Sequence, residues 1–245
     1  MRLLTKILLA TILIAGTGHS IAKPIPTVIV KTSEIVDRHL SGFNAINVSG
    51  LFDVDITQGN AESVKVEAPS GVMYHIITEV NNGVLKIYDK YYMFKWGPFW
   101  GFRKKILVHV TLKDVNSITI SGLGDVWFRE GITATNLKLR ISGSGGVTGK
   151  LTVKTLEAII TGSGDMRLSG NAQNSTVTLV SSGDFIARNL LTISSAVRVS
   201  GSGDAEINAS DRVDASIRGS GDIRYTGTAK IVNSSKSGSG EINRF

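Results

Sequence analysis

The chain has 245 residues, 42% hydrophobic and 19% charged, with a formal net charge of +7, which excludes a long disordered or collagen-like protein. It contains no cysteine, which excludes disulfides, a cysteine nucleophile and a lipid-modified cysteine. Its basic residues are scattered, apart from those at 103–105, so no nucleic-acid partner is expected.

Residues 1–22 read as a secretory signal peptide. Arg2 and Lys6 flank the start of a short apolar run, and Ser20 and Ala22 stand at −3 and −1 of a cut before Lys23. We therefore expect an exported protein, in the periplasm, on the cell surface or secreted. Removing two basic residues leaves 25 against 20 acidic ones, a net charge of +5. An exported protein with this mild positive charge is suited to bind an anionic lipid or polysaccharide. Residues 23–42 are predicted to be a linker.

Residues 43–115 predict an N-terminal β subregion of irregular spacing. Its first strand signal is VSGLFDV at 48–54, in which Asp53 resembles the Asp of later repeats. Asn81-Asn82-Gly83 is a hairpin signal, because Asn and Gly tolerate the positive φ of a tight turn. Further alternating strand patterns occupy 63–68, 84–89 and 106–112.

An aromatic insertion at 88–102 interrupts this subregion. It holds eight of the sixteen aromatic residues of the chain, and Gly97-Pro98 and Gly101 exclude a regular strand. One interpretation is an apolar cap folded over the flank or one end of the remaining β-structure; the other is an exposed patch that binds a protein, a lipid surface or a sugar. The candidate binding residues are Tyr91, Tyr92, Phe94, Trp96, Phe99, Trp100 and Phe102, with a basic edge at Arg103, Lys104 and Lys105.

Residues 116–245 carry a regular repeat. Aligned on one position, it shows Asp125, Gly146, Asp165, Asp184, Asp204, Asp222 and Glu241, at spacings of 21, 19, 19, 20, 18 and 19 residues. The preceding residue is always glycine: Gly124, Gly145, Gly164, Gly183, Gly203, Gly221 and Gly240. Alternating apolar residues flank each corner, so each unit predicts two short strands joined by a Gly-Ser-Gly-Asp corner. Such units bury their apolar faces only by stacking, which predicts an all-β, parallel β-helix or β-solenoid with rungs of about 19–20 residues.

The corners allow three interpretations. A phosphate loop needs a helix after the glycines, whereas a strand follows here. A calcium ladder would use Asp165, Asp184, Asp204 and Asp222, which stacking places about 4.8 Å apart, where they repel by about 0.9 kcal/mol in water. The third, favoured interpretation is a structural corner, in which hydrogen bonds from serines and backbone amides offset that repulsion.

No catalytic residue, metal site or cofactor is predicted. The histidines after residue 22 lie far apart, at 39, 75 and 109, and no GxSxG motif occurs. Solenoid enzymes that act on polysaccharides build sites from Asp, Lys and Arg on the flank, which leaves Arg140, Lys154, Asp165 and Arg167 as candidates for that alternative.

The repeated corners, the opening segment at 43–59 and the closing segment at 224–242 resemble the bacterial family "putative auto-transporter adhesin, head GIN domain". The resemblance covers about residues 43–243, and its core motif does not require the aromatic insertion. It implies an exported, right-handed β-helix-like domain and carries no catalytic or binding residues. We therefore expect a non-enzymatic envelope binding or adhesion module of unknown ligand: a glycan, a lipid surface or a protein. The alternatives are a self-associating structural protein and, third, a polysaccharide-acting enzyme.

Overall fold

Strands make up 74% of the residues that the structure describes. A computed structural model describes residues 33–90 and 106–245, which belong to one compact unit. The N-terminal strands are β1 (Ser33–Asp37), β2 (Ala45–Gly50), β3 (Phe52–Gln58), β4 (Ser63–Pro69), β5 (Ile76–Asn81), β6 (Val84–Asp89), β7 (Ile106–Leu112) and β8 (Ser117–Gly122). The rest are β9 (Val126–Gly143), β10 (Val147–Gly162), β11 (Met166–Ser181), β12 (Phe185–Gly201), β13 (Ala205–Gly219), β14 (Ile223–Thr226), β15 (Ile231–Gly238) and β16 (Ile242–Arg244).

The repeats stack as parallel rungs, and the predicted all-β solenoid is confirmed, with about seven turns. Strands β9 to β13 each form one rung and pair in parallel with the next. The only helix among the described residues is a three-residue 3₁₀ turn at Met73–His75. No helix in this part of the chain has the length and apolar character to cross a membrane.

Apolar side chains stack inside the solenoid in continuous columns. One such column lies five residues before the corner position, and its members pair with one another from rung to rung. All members except the last are at most 2% exposed. It contains Ile87, Val48, Ile120, Ile141, Ile160, Leu179, Val199, Ile217 and finally Lys236. Burial of each apolar member contributes roughly 1.5–3 kcal/mol of transfer free energy. Lys236 ends the column with a charge on the last rung, where its Nζ donates to the Gly240 carbonyl at 3.2 Å.

Each corner needs glycine twice, for different reasons. The glycine that ends each strand has a positive φ of 123° to 151° at 122, 143, 162, 201, 219 and 238. The second glycine, next to the Asp, is buried, and its backbone packs against the preceding rung. A Cβ at Gly164 would lie 2.1 Å from the Gly145 carbonyl oxygen, closer than two atoms can approach. Ser181 replaces a strand-ending glycine and holds φ at 110°, a strained value for a non-glycine residue.

The N-terminal strands build the same columns in a different chain order. β2 pairs in parallel with β6 on one side and β8 on the other, and β3 lies between β7 and β9. The β2–β3 rung is therefore sandwiched between a β6–β7 rung and the β8–β9 rung. After β3 the chain leaves through β4 and β5, returns as β6 and β7, and then crosses to the far side as β8.

Antiparallel strands cover the N-terminal end of the stack. β4 pairs with β1 and β7, and β5 forms a hairpin with β6. The hairpin turn is at Asn82 and Gly83, whose φ values of 50° and 76° match a turn with two left-handed central residues. The predicted hairpin is confirmed. The regular rungs start at β8, and β2 and β3 already lie in the same stack.

Candidate functional site: the corners and the solenoid flank

The corner carboxylates accept backbone hydrogen bonds from the next rung. Asp204 Oδ1 accepts from the Asp222 amide at 2.8 Å, and Asp184 Oδ1 accepts from the Asp204 amide at 2.8 Å. The same bond recurs from residue 184 to Asp165 at 3.2 Å and from residue 241 to Asp222 at 2.9 Å. A carboxylate that accepts an amide in every rung has its negative charge offset by an aligned N–H dipole. The corners can therefore stack without a cation.

The Asp column extends into the irregular N-terminal region. Asp53 Oδ1 accepts from the Asp125 amide at 3.0 Å, although 72 residues separate the two positions. Asp53 is 7% exposed. The column is interrupted once, at Gly146, which donates to Asp125 at 2.9 Å but has no carboxylate for the next rung. Among the described residues, no three His, Cys, Asp or Glu side chains are grouped so as to hold a metal ion.

Arginines next to the corners pair with some of the same carboxylates. Arg167 Nη2 lies 2.9 Å from Asp165 Oδ2, and Arg224 Nη2 lies 3.3 Å from Asp222 Oδ2. These ion pairs involve the second carboxylate oxygen, Oδ2, so Oδ1 still accepts the backbone amide of the next rung. Asp165 and Arg167 therefore form an ion pair at the corner.

The aromatic insertion is attached at the corner of the β6–β7 rung. Tyr88 is the register partner of Ser49, and Ile106 is the partner of Phe52. In the β2–β3 rung only residues 50 and 51 separate these two positions, whereas in the β6–β7 rung residues 89–105, seventeen in all, separate them. The predicted binding residues between 91 and 105 lie outside the described residues. The positions at which the insertion leaves and rejoins the stack are described.

The exposed ridge along the corners changes character near this attachment. We call this ridge the corner ridge. It consists of the residue that directly follows the last residue of the strand in each rung, and that last residue is usually glycine. From β9 onward they are exposed serines, at 144, 163, 182, 202, 220 and 239. The two members nearest the insertion are leucines instead, Leu51 with 46% exposure and Leu123 with 58%. The apolar part of the corner ridge is thus confined to the end that carries the aromatic insertion.

The flank of the solenoid carries an open groove where the rungs bend. This bend groove has a volume of about 880 Å³ and a floor of nearly buried residues that includes Val153 and Ala172. Leu191 and Ile193 are more than half exposed at its wall. Lys154, one of the enzyme candidates, lines this groove, whereas Arg140 is the register partner of Ile159 in the other half of the rung. The structure therefore does not bring the four enzyme candidates together in one site.

The histidines occupy three separate settings. His39 contacts Asp37 at 3.4 Å, and His75 stacks on Tyr74 with ring centroids 3.7 Å apart. His109 lies between Asp55 and Glu67, with its nitrogens 3.9 Å and 3.7 Å from their carboxylate oxygens. His109 is on the outer face of its strand, while its neighbours Val108 and Val110 are buried.

The family model described as "Putative auto-transporter adhesin, head GIN domain" matches residues 42–229. The chain belongs to this family. The predicted resemblance is confirmed. No curated protein matches the chain.

Solved structures from Bacteroides and Parabacteroides species share the fold. A crystal structure named as a putative adhesin of Bacteroides fragilis is 28% identical, covers 88% of this chain and 98% of its own, and has a TM-score of 0.81. One named as a putative lipid binding protein of Parabacteroides distasonis is 23% identical, with coverages of 87% and 97% and a TM-score of 0.70. A Parabacteroides merdae structure named as a putative adhesin is 20% identical, with coverages of 87% and 96% and a TM-score of 0.68. The last two likenesses support the fold alone.

Sequence reasoning missed two surfaces. The exposed leucines of the corner ridge could have been found, because Leu51 and Leu123 occupy the position of the corner serine in the alignment. The second surface consists of the residues two and four places after each corner Asp, which face outward in every rung. Cations are concentrated there in four successive repeats, at 129, 150, 167 and 188, a signal visible in the sequence once the repeats are aligned.

Proposed function

We propose that the protein is an exported, non-enzymatic binding module of the bacterial envelope, in which the solenoid is the scaffold and the aromatic insertion is the main binding element. Membership in an adhesin-head family supports an exported or cell-surface protein with an adhesive role. The family and the similar structures carry adhesin or lipid-binding names rather than the names of enzymes. The ligand is an envelope glycan, a lipid surface or a protein.

The observation that carries this proposal is the exchange of a two-residue corner for a seventeen-residue segment in one rung. The rung closes without such a segment, as the neighbouring corner at 50 and 51 demonstrates, so closing the rung does not explain it. The segment is rich in aromatic rings and ends in three cations, and the adjacent corner ridge is apolar at Leu51 and Leu123. A segment of aromatic and basic side chains suits binding to sugars, proteins or an interfacial surface.

A binding screen tests the proposal. The chain from residue 23 would be applied to a glycan array and to lipid vesicles, and the Trp96→Ala/Trp100→Ala variant would be compared with it. We expect the double variant to lose at least about tenfold in affinity, since truncation of central aromatic residues in an interface often costs more than about 2 kcal/mol. Tyr74→Ala is the matched control, because Tyr74 is an aromatic residue with 67% exposure in the antiparallel region.

Equal binding by the chain and the Trp96→Ala/Trp100→Ala variant would reject the insertion as the binding element. A release of sugar fragments from a polysaccharide by the purified chain, abolished in Arg167→Gln but not in Arg218→Gln, would instead favour the enzyme alternative.

Self-association is the second candidate, and the last rung favours it. Among the described strands, β15 pairs only with β13, and all eight of its residues are exposed. An unpaired edge of this length can accept a strand from another copy. Light scattering of the chain and of Val232→Lys, which adds a charge to the edge, tests this candidate. Dimers that Val232→Lys converts to monomers would support it, and monomers in both samples would reject it.

A further inference from the structure

A cleft on the flank beside the corners gathers cations from four successive rungs. We call it the basic cleft. It has a volume of about 590 Å³, and its charged lining residues are Arg129, Lys150, Arg167 and Arg188. No carboxylate lines it. The register explains this grouping, because Thr148 is the partner of Trp127 in the rung before and of Arg167 in the rung after, which aligns the outward positions of β9, β10 and β11.

The basic cleft keeps an excess of positive charge after its ion pairs are counted. Arg167 pairs with Asp165 at 2.9 Å, and Arg188 pairs with Glu206 through two bonds of 2.7 and 2.9 Å. Four cations less these two carboxylates leave a charge of +2. Within the described ranges, 33–90 and 106–245, neither Arg129 nor Lys150 has a carboxylate partner. These two exposed cations lie on adjacent rungs.

Arg167 and Arg188 are held in place by these ion pairs and retain N–H groups that can donate to a ligand. The two bonds to Glu206 use Nε and Nη2 of Arg188, and the single bond to Asp165 uses Nη2 of Arg167. A guanidinium has five N–H donors, so each retains several. The side chains of Arg167 and Arg188 are 53% and 51% exposed, so these donors reach solvent. Arg129 is positioned over the ring of Trp127, 5.7 Å from its centroid, which restricts its motion.

The spacing of the cations selects a linear ligand. Rungs are about 4.8 Å apart, so the four cations span about 15 Å along the solenoid axis. A small anion reaches only one or two of them, whereas a chain with repeated negative charges can follow all four. Between the cations the cleft presents the hydroxyls of Thr148 and Ser169 and the amide of Asn189. Hydroxyl and amide groups pair with sugar hydroxyls, which distinguishes an acidic polysaccharide from the plane of a lipid bilayer.

We propose that the basic cleft binds an acidic polysaccharide that runs along the solenoid axis, with Arg129 and Lys150 as its main charged contacts. The inference rests on the proposed binding function and names a ligand class for it, but it uses residues distinct from the aromatic insertion. The bend groove is the contrasting surface, because Asp114 and Lys154 are its only charged lining residues.

The test uses polygalacturonate as a carboxylate polymer, dextran sulfate as a sulfate polymer, dextran as a neutral polymer and vesicles rich in phosphatidylglycerol. Affinity would be measured by calorimetry at about 50 mM and about 500 mM salt, since screening separates charge contacts from apolar ones. The test variant is Arg129→Gln/Lys150→Gln. The matched control is Lys154→Gln/Arg218→Gln, which removes the same charge from two other exposed positions.

We expect the chain to bind at least one acidic polymer, to ignore dextran and to bind more weakly at high salt. Arg129→Gln/Lys150→Gln should bind about tenfold more weakly, and the control double variant should change by less than about twofold. Absence of binding to both acidic polymers, equal losses in the two double variants, or binding to vesicles alone would each overturn the proposal.

The Trp96→Ala/Trp100→Ala variant separates this inference from the proposed function. If it abolishes glycan binding while Arg129→Gln/Lys150→Gln has no effect, the insertion stands as the binding element and the basic cleft is rejected. If only Arg129→Gln/Lys150→Gln weakens binding, the basic cleft stands and the role of the insertion is rejected.

Discussion

The regular rungs and the N-terminal strands make the same solenoid by two different routes. In β9 to β13 each rung follows its neighbour in the chain, and the corners repeat one short motif with single departures at Gly146 and Ser181. In β2 to β8 the rungs are assembled from segments that return from elsewhere, and Asp125 bonds to Asp53 across 72 residues. The comparison teaches that the corner geometry, rather than chain order, defines the stack. It also teaches that the fold accepts a long insertion where one rung departs from that motif.

The largest expected effect is a break in the regular rungs. Gly164→Ala places a Cβ 2.1 Å from the Gly145 carbonyl oxygen and 2.8 Å from Ile141 Cγ2, so two rungs must move apart. We expect a loss of about 3 kcal/mol or more in the free energy of unfolding, measured by denaturant titration. Gly42→Ala is the control in the N-terminal region. It has φ of +79° but no atom within 4 Å of the new Cβ, so its cost should be about 1 kcal/mol. Equal costs would contradict close approach as the reason for the second corner glycine.

The next prediction tests whether the two regions share one Asp column. Asp204→Ala and Asp53→Ala each remove the acceptor of a backbone amide in the neighbouring rung. Each should cost about 1–3 kcal/mol in the free energy of unfolding. Asp204→Asn, which keeps an accepting oxygen, should cost less. If Asp53→Ala leaves the free energy of unfolding unchanged, the Asp column ends with the regular repeats.

A stabilising change is expected at the corner of the regular region where serine replaces the strand-ending glycine. Ser181→Gly removes a side chain from a position with φ of 110°, where the neighbouring rungs have glycine. We expect a gain of about 1 kcal/mol, because the relieved strain exceeds the greater entropy of the unfolded glycine chain. Ser182→Gly, at the adjacent exposed position with ordinary φ, should be neutral or slightly destabilising. Thermal unfolding of both variants would check the sign.

The smallest expected effect concerns the contact between β13 and the last rung. Hydrogen bonds from Arg212, and then from Asn233 of β15, lower the pKa of Asp214. Because this pKa is lower in the folded state, ionised Asp214 contributes to the free energy of unfolding above the unfolded pKa of about 3.9. That contribution is lost as the pH falls through the folded pKa. Asp214→Asn should therefore lower Tm by about 2 °C or less at pH 7, and the difference should vanish in acid. A difference that is unchanged at low pH would contradict the assignment.

The repeats made the regular region predictable. Glycine at every aligned corner and apolar residues on both sides specify strand, corner and strand without any long-range information, and the hairpin at Asn82 and Gly83 is equally local. The threading of β6 and β7 onto the outer side of β2 was not predictable, because the pairing of β2 with β6 depends on contacts between distant segments that carry no motif. The basic cleft was missed for a related reason, since outward residues become neighbours only through the register.

The most direct test of the central claim replaces residues 89–105 by Gly-Leu, the two residues that close the neighbouring rung at 50 and 51. Binding of this variant to glycans, vesicles and protein partners would be measured beside its Tm. The account predicts a folded solenoid with a Tm within a few degrees of that of the parent chain and at least a tenfold loss of binding. Undiminished binding by the folded variant would contradict it.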